Sequence, residues 1–257
     1  MTHTALVTGA SSGIGRALAR EFAAHGYDVV LVARREDALR DVSREIKGRV
    51  HLVSMDLAVH DAGTALAEEV QRRGIQVDVA VNNAGFGLQG EFSVLPPERQ
   101  LEMIRLNVMT LTELTRRVMP GMLERRSGGI LNVASTAAFQ PGPLKAVYYA
   151  TKAYVLSFTE AIAEEAAGRG VKISCLCPGP THSEFAARAE MQGTPLFRGH
   201  VMSAEAVARA GYQGWAAGEA VIVPGAANRR GIWLVRFAPR AMVRRIVKGL
   251  NSSKAVL

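Results

Sequence analysis

Cysteine is nearly absent from this chain: Cys175 and Cys177 are the only two. They lie two apart in an apolar run, so on a strand they face the same way, too close in sequence for an ordinary disulfide. No histidine cluster lies near them to complete a metal site. The expectation is two reduced, buried thiols, with no disulfide framework and no metal. No uninterrupted apolar stretch reaches about 18 residues, and no charged leader precedes an apolar run and a cleavage site. A cytoplasmic protein is therefore expected. No aromatic-interleaved basic run or known nucleic-acid module occurs, which argues against a nucleic-acid partner. Acid is missing from one region: Asn228 to Leu257 carries eight Lys/Arg and no Asp or Glu, while the rest of the chain balances its 23 acids with as many bases. The whole formal charge of +8 sits in that tail.

What is present suits a globular protein. The 257 residues are 48% hydrophobic and 21% charged, enough for one large domain with a substantial core. Six short β-branched runs alternate with helical patterns. The predicted strands are 3–8, 28–33, 50–55, 77–81, 129–134 and 171–177, and 220–223 reads as a seventh. Helices are predicted over 16–25, 36–47, 61–73, 98–119, 147–168 and 203–217, with Pro120-Gly121 stopping the fourth. Such alternation predicts an α/β fold, a doubly wound parallel sheet of the Rossmann type with about seven strands in a single domain. Residues 1–227 form the expected catalytic unit and 228–257 a basic extension.

Strand, glycine-rich turn and helix meet at Gly9-Ala10-Ser11-Ser12-Gly13-Ile14-Gly15. Glycines let a backbone approach a pyrophosphate, and the helix N-terminus offers free N–H groups. The second strand ends at Arg34-Arg35, where NAD-binding folds often place an acid for the adenosine ribose. Two guanidinium groups suit a 2′-phosphate instead, which predicts NADP(H). Asp56 either caps the next turn or lies beside an adenine. Asn82-Asn83-Ala84-Gly85 closes the fourth strand with small residues at the sheet edge that binds ligands. Asn107, a mediocre helix former inside a predicted helix, is either exposed and neutral or bound to a backbone group or water.

The stretch Ser135 to Lys152 holds the chemistry. Tyr148 and Lys152 are four apart and share a helix face, whereas Tyr149 points about 100° away. A phenol titrates near pH 10, and a neighbouring ammonium is expected to lower that value and equip Tyr148 for acid–base work. Ser135 adds a hydroxyl for the reacting oxygen.

Together these residues resemble the short-chain dehydrogenase/reductases. The family's glycine motif matches Thr8 to Gly15, its N-N-A-G matches Asn82 to Gly85, and its proline-glycine motif matches Pro178-Gly179, with Thr181 following. Its catalytic tetrad matches Asn107, Ser135, Tyr148 and Lys152. The resemblance spans residues 4–225. It implies reduction of a carbonyl, or oxidation of an alcohol, with Tyr148 exchanging the proton. It further implies that Ser135 positions the oxygen, that Lys152 binds the nicotinamide ribose, and that Asn107 holds a water linking Lys152 to solvent. By the same resemblance Asp56 flanks the adenine, Leu57 contacts it through backbone, and the assembly is a dimer or tetramer.

After the proline-glycine motif, 183–202 carries Phe185, Met191, Leu196 and Phe197 with Gly193 and Gly199 as possible hinges, and reads as an apolar lid. Phe86, Leu88 and Phe139 are further candidates for the pocket, which suggests an apolar or acyl-like carbonyl substrate. The basic tail and the Arg34-Arg35 turn resemble the branch of the family that reduces long-chain ketoacyl groups and steroids, which implies a ketone, 3-oxoacyl or steroid-like substrate. From Pro239 the tail forms a basic amphipathic helix. It lies on an anionic membrane, or packs on a partner subunit or on its own core. The competing function is a regulatory protein that binds NADP(H) as a redox signal without turnover.

Overall fold

The computed structural model describes residues 2–182 and 201–252. Seven parallel strands form the sheet: β1 (Thr4–Thr8), β2 (Asp28–Ala33), β3 (Val50–Ser54), β4 (Val79–Asn82), β5 (Gly128–Val133), β6 (Val171–Leu176) and, after two short strands described below, β9 (Val221–Ile222). Their order is β3-β2-β1-β4-β5-β6-β9. The order reverses direction at β1, which pairs with β2 on one side and β4 on the other. That switch opens a crevice at the carboxyl ends of β1 and β4, where open α/β sheets bind ligands.

Helices cover both faces, which is why the central strands are apolar at every position rather than at alternate ones. Ala5, Val7, Val29, Leu31, Val79 and Val81 face α1 (Gly13–Ala24), α2 (Glu36–Arg44) and α7 (Ala204–Ala217). Phe22 of α1 is fully buried there, its ring edge-on to Tyr27 and Tyr212 at 5.3 and 5.1 Å. Burial of one such side chain contributes about 1.5–3 kcal/mol. Leu6, Val30, Val32 and Val53 face α3 (Ala62–Arg72) and α5 (Leu111–Arg125) on the other side. Ala80, Ile130 and Ile173 pack under α6 (Ala146–Glu165).

A polar ladder runs through this second layer. Asn82 Nδ2 donates to Asn132 Oδ1 at 2.8 Å and to Thr115 Oγ1 at 3.1 Å, and Asn132 Nδ2 donates to Thr159 Oγ1 at 3.0 Å. These groups are buried, so their pairing removes a desolvation cost that would otherwise fall on each. The ladder fixes β4 and β5 against α5 and α6, and so sets the height of α6 over the sheet edge.

The structure departs from the sequence reading in places. The helix expected to stop at Pro120 runs through it to Arg125, as α4 (Pro97–Ile104), a π-helical turn (Arg105–Thr110) and α5. Pro120 sits on the exposed side, where solvent can satisfy the carbonyl left without its N–H partner. The turn at Arg126, with φ of 51°, ends the helix instead. A two-residue strand, β7 (Thr181–His182), pairs in parallel with β8 (Met202–Ser203). The expected lid lies between them, and its residues 183–200 fall outside the described residues. Helix α8 (Ala226–Phe237) was not expected, and the proposed boundary at 227/228 falls inside it. The final helix, α9 (Arg240–Asn251), rests Val243 and Val247 on the chain's own core beside Met103, Tyr148 and Tyr149. Of the alternatives for the tail, packing on its own core is thus met on one side. No described helix is long and apolar enough to cross a membrane.

Candidate active site

The glycine-rich turn joins β1 to α1 at the mouth of the crevice. Gly9 and Gly13 adopt φ of 67° and 56°, a region that residues with a Cβ rarely enter. A Cβ on Gly15 would lie 2.2 Å from the Gly9 carbonyl oxygen. Ser12 caps α1 in an extended conformation without spending its side chain on the helix N–H groups. Those donors therefore stay aimed at the crevice along with Ser11 and Ile14 of the same turn.

The motif from Asn82 to Gly85 is laced to that turn. Thr8 Oγ1 accepts from the backbone N–H of both Asn83 and Ala84 at 3.0 Å, and Asn83 Nδ2 donates to the Thr8 carbonyl at 2.9 Å. A Cβ on Gly9 would meet Asn83 Nδ2 at 2.8 Å. The two motifs thus form one wall in which small residues permit close backbone approach. This is the observation on which a dinucleotide fits: a pinched glycine turn at a helix N-terminus, facing a crevice at the topological switch.

Arg34 and Arg35 stand exposed at the end of β2, and the Arg34 carbonyl accepts from Ser54 Oγ at 3.0 Å. Asp56 Oδ1 accepts from the Ala58 N–H at 2.9 Å and so fixes the turn after β3. Leu57 is buried, and its carbonyl accepts from Thr110 Oγ1 at 2.7 Å. At the opposite rim, the Pro178 carbonyl accepts from the Thr136 N–H at 2.9 Å and from Ser135 Oγ at 3.4 Å. Thr181 Oγ1 donates to the Gly179 carbonyl at 2.9 Å. A Cβ on Gly179 would lie 2.4 Å from Asn228 Oδ1, so α8 braces this loop.

Ser135, Tyr148 and Lys152 converge at the carboxyl ends of β5 and β6. Ser135 lies beside Tyr148; its Oγ donates to the Pro178 carbonyl and accepts from the Ala137 N–H at 3.1 Å, which fixes the serine at the start of a 3-10 turn. Lys152 Nζ donates to the Val133 carbonyl at 2.8 Å and lies 5.9 Å from the centre of the Tyr148 ring. Both side chains are buried. Burial pushes the Lys152 ammonium down to about 8, with the neighbouring Cys175 and Cys177 acting the other way. The two cysteines are free thiols 3.7 Å apart, as expected from their spacing.

One expectation is overturned. The Tyr148 phenol is pushed up rather than down, because burial outweighs the opposing effect of Ser135. A buried phenolate in low dielectric costs more than an ammonium across a ring can return. Tyr148 therefore keeps its proton at neutral pH.

Asn107 gives its reason for interrupting a helix. It lies fully buried in the π-helical turn, accepts from the Phe86 N–H at 3.1 Å, and donates to the Phe86 carbonyl at 3.0 Å and Thr151 Oγ1 at 3.1 Å. The turn swings one extra residue inward, a device found at functional sites. A Cβ on Gly85 would lie 2.9 Å from Asn107 Oδ1 and 3.6 Å from Lys152 Nζ, so the three meet at one point.

Of the apolar pocket candidates, Leu88 and Tyr148 line a cavity of about 10 Å³ with Phe92, Leu95 and Met103. Phe86 packs beside them under the Arg99 guanidinium at 4.8 Å, and Phe139 packs on a separate cluster around Val155. Three residues here escaped the sequence reading. Lys145 is buried to 2% exposure at the wall of the cavity, with no described partner for Nζ, and burial lowers it to about 8. Leu144 beside it holds φ of 67° while its carbonyl accepts from the Gly90 N–H at 2.8 Å. Asn251 closes the site from the tail. A lysine between Leu144 and Ala146 and an asparagine in a basic tail carry no pattern that announces such burial.

Comparison with known proteins agrees with this geometry. Residues 3–193 match the short chain dehydrogenase family. The chain is 37% identical over 189 residues to a short chain dehydrogenase of Pseudocercospora fijiensis, an alignment spanning 72% of this chain and 61% of that one. It is 34% identical over 180 residues to the human very-long-chain 3-oxoacyl-CoA reductase, spanning 68% of this chain and 58% of that enzyme. The chain thus spans about six tenths of the length of these two relatives. Among solved structures, a short-chain dehydrogenase from Sphingobium yanoikuyae in complex with NADPH superposes with a TM-score of 0.80 at 29% identity, covering 93% of this chain and 97% of that one.

Proposed function

The chain belongs to the short-chain dehydrogenase/reductase family, and from that premise we propose that it is an NADPH-dependent carbonyl reductase with Tyr148 as general acid. The observation that carries the reading is the convergence of Ser135, a buried Tyr148 and a buried Lys152, one turn further along α6, at the carboxyl ends of β5 and β6. A phenol that retains its proton is a donor, which suits reduction of a carbonyl better than oxidation of an alcohol at neutral pH.

The residues to hold the cofactor are the turn from Gly9 to Gly15 for the pyrophosphate, Arg34 and Arg35 for a 2′-phosphate, Asp56 and Leu57 at the adenine, and Asn83 to Gly85 along the crevice. Lys152 would take the ribose hydroxyls, and Pro178, Gly179 and Thr181 the opposite rim. When bound, the nicotinamide group supplies hydride. Tyr148 gives its phenolic proton to the substrate oxygen, and the Ser135 hydroxyl holds that oxygen in place. With both amide hydrogens committed to Phe86 and Thr151, Asn107 serves a proton relay from Lys152 only as an acceptor for a bridging water.

The apolar side chains Phe86 and Leu88 beside Tyr148 suit a ketone, 3-oxoacyl or steroid-like substrate, and the resemblance to a 3-oxoacyl-CoA reductase supports the second. A homo-oligomer in a reducing cytoplasm completes the reading. The alternative, a redox-sensing protein without turnover, leaves the Ser135–Tyr148 contact without a task.

The test is to follow nicotinamide absorbance with NADPH, and NADH in parallel, across short ketones, 3-oxoacyl thioesters and ketosteroids. Oxidation of NADPH by one class, weak with NADH, is expected. Tight NADPH binding with no turnover on any class would favour the sensor.

A further inference from the structure

The tail shows two faces, and only one of them is used by the fold. Helices α8 and α9 both rest on the cluster around Met103 and Tyr149, through Val235 on α8 and Val243 and Val247 on α9. Their other sides point away from the protein. On α8, Trp233 and Phe237 lie one turn apart with Leu234 beside them, and they are 63%, 69% and 63% exposed. On α9, Met242, Ile246 and Leu250 recur every four residues, a stripe alongside the buried one, and are 48%, 53% and 37% exposed. Around these six apolar side chains stand Arg229, Arg230 and Arg236 on α8 and Arg240, Arg244, Arg245 and Lys248 on α9, all exposed. Scattered exposed leucines need no explanation, but six large apolar groups on two adjoining helices, ringed by cations, do.

We propose that this face lies on an anionic lipid bilayer, with Trp233, Leu234 and Phe237 in the headgroup region and the ring of cations on lipid phosphates. Charge complementarity selects this occupant. A second copy docking face to face through a two-fold axis would press the same all-basic surface against itself. The rest of the chain has no net charge to offer in exchange. A nucleic acid would satisfy the cations and leave the aromatic and aliphatic side chains against water. A bilayer with anionic headgroups meets both demands, since apolar side chains enter the acyl boundary while arginine and lysine stay at the phosphates. The contact is peripheral, in keeping with helices too short and too charged to span. The opposite side of α9 reaches the site, since Asn251 bonds Tyr149, so the attached surface and the cavity beside Tyr148 lie on two sides of one helix.

The full chain supplies its own probe. Its only two tryptophans are Trp215, 5% exposed in the core, and Trp233. Vesicles of phosphatidylcholine with about one third phosphatidylglycerol, and of phosphatidylcholine alone, are compared by flotation and by quenching of tryptophan emission with brominated acyl chains. Expected are at least tenfold stronger flotation on the anionic vesicles, loss of that preference in about 0.5 M salt, and quenching of Trp233 in the unmodified protein. Trp233→Ser with Phe237→Ser should lower binding about tenfold, and Arg244→Glu with Arg245→Glu should abolish the anionic preference, both with unchanged nicotinamide-cofactor affinity. Equal flotation on both vesicle types, no flotation, or an unquenched Trp233 overturns the proposal. So does a serine double variant that floats normally but turns a dimer into a monomer by sedimentation velocity, since the face would then be a contact between copies.

Discussion

The Tyr149 hydroxyl donates to Asn251 Oδ1 at 3.3 Å, tying the first turn of α6 to the last turn of α9 across 102 residues of sequence. Two adjacent tyrosines thus part company: Tyr148 turns to Ser135, while Tyr149 anchors the tail. Asn251 is fully buried, its Nδ2 donates to the Pro143 carbonyl at 3.0 Å, and its own carbonyl accepts from Gln89 Nε2 at 3.0 Å. Two loops and the first turn of α6 therefore meet on one asparagine of the tail.

Asn251→Ala should destabilise the protein by about 1–3 kcal/mol, the cost of leaving buried polar groups without partners. For a chain of this size that is a fall in Tm of roughly 3–10 °C, read by calorimetry. Loosening Pro143 and Tyr149 should also raise KM for substrate more than it lowers kcat. An unchanged Tm would mean the two side-chain bonds contribute nothing net.

Gly142→Ala tests the same anchor from the other side. A Cβ there would lie 2.2 Å from the Tyr149 ring, so the ring or the loop must move. Overpacking of this kind costs about 1–3 kcal/mol, and denaturant unfolding should show it as a lowered midpoint. Gly15→Ala, whose Cβ would strike the Gly9 carbonyl, should instead weaken cofactor binding beyond any loss of stability.

Lys145 predicts a pH dependence. The unfolded chain keeps the ammonium proton up to about pH 10.5, whereas the folded protein releases it near 8. The folded state carries the penalty in full below pH 8, and stability rises as pH goes from 8 to 10.5 because the unfolded state then binds more protons. Lys145→Met should be more stable than the parent at pH 7, by on the order of 2 kcal/mol, and the gap should close towards pH 10.5. A constant difference across that window would place the ammonium in water.

Arg34→Ala with Arg35→Ala should raise Kd for NADPH by about tenfold or more and leave NADH within about twofold, because only NADPH carries the phosphate that guanidinium groups grip. Equal effects on both would remove the phosphate assignment.

Much of this site is legible in the chain because it is local. The turn from Gly9 to Gly15 and the pair Tyr148 and Lys152 are set by spacing within one strand-turn-helix unit or one helix face, and the alternation of apolar strands and helices predicts the sheet. Other features depend on contacts the sequence does not display. The π-helical turn at Asn107 exists because Phe86 and Thr151, distant in sequence, take up its side chain. The helix through Pro120 survives because the proline faces solvent. The Tyr148 phenol rises because burial, a property of the whole fold, outweighs the neighbouring charge that spacing brings to mind. Helix α8 has its apolar residues mostly outside, so its pattern announces no core.

The central claim is that Tyr148 supplies the proton. The most direct measurement is Tyr148→Phe, with NADPH binding by calorimetry beside turnover on the best carbonyl substrate. The account predicts a Kd for NADPH within about twofold of the parent and a fall in kcat of roughly 10²–10⁴, the usual worth of a positioned general acid. Turnover within about tenfold of the parent, with binding intact, would contradict it and place the proton donor elsewhere.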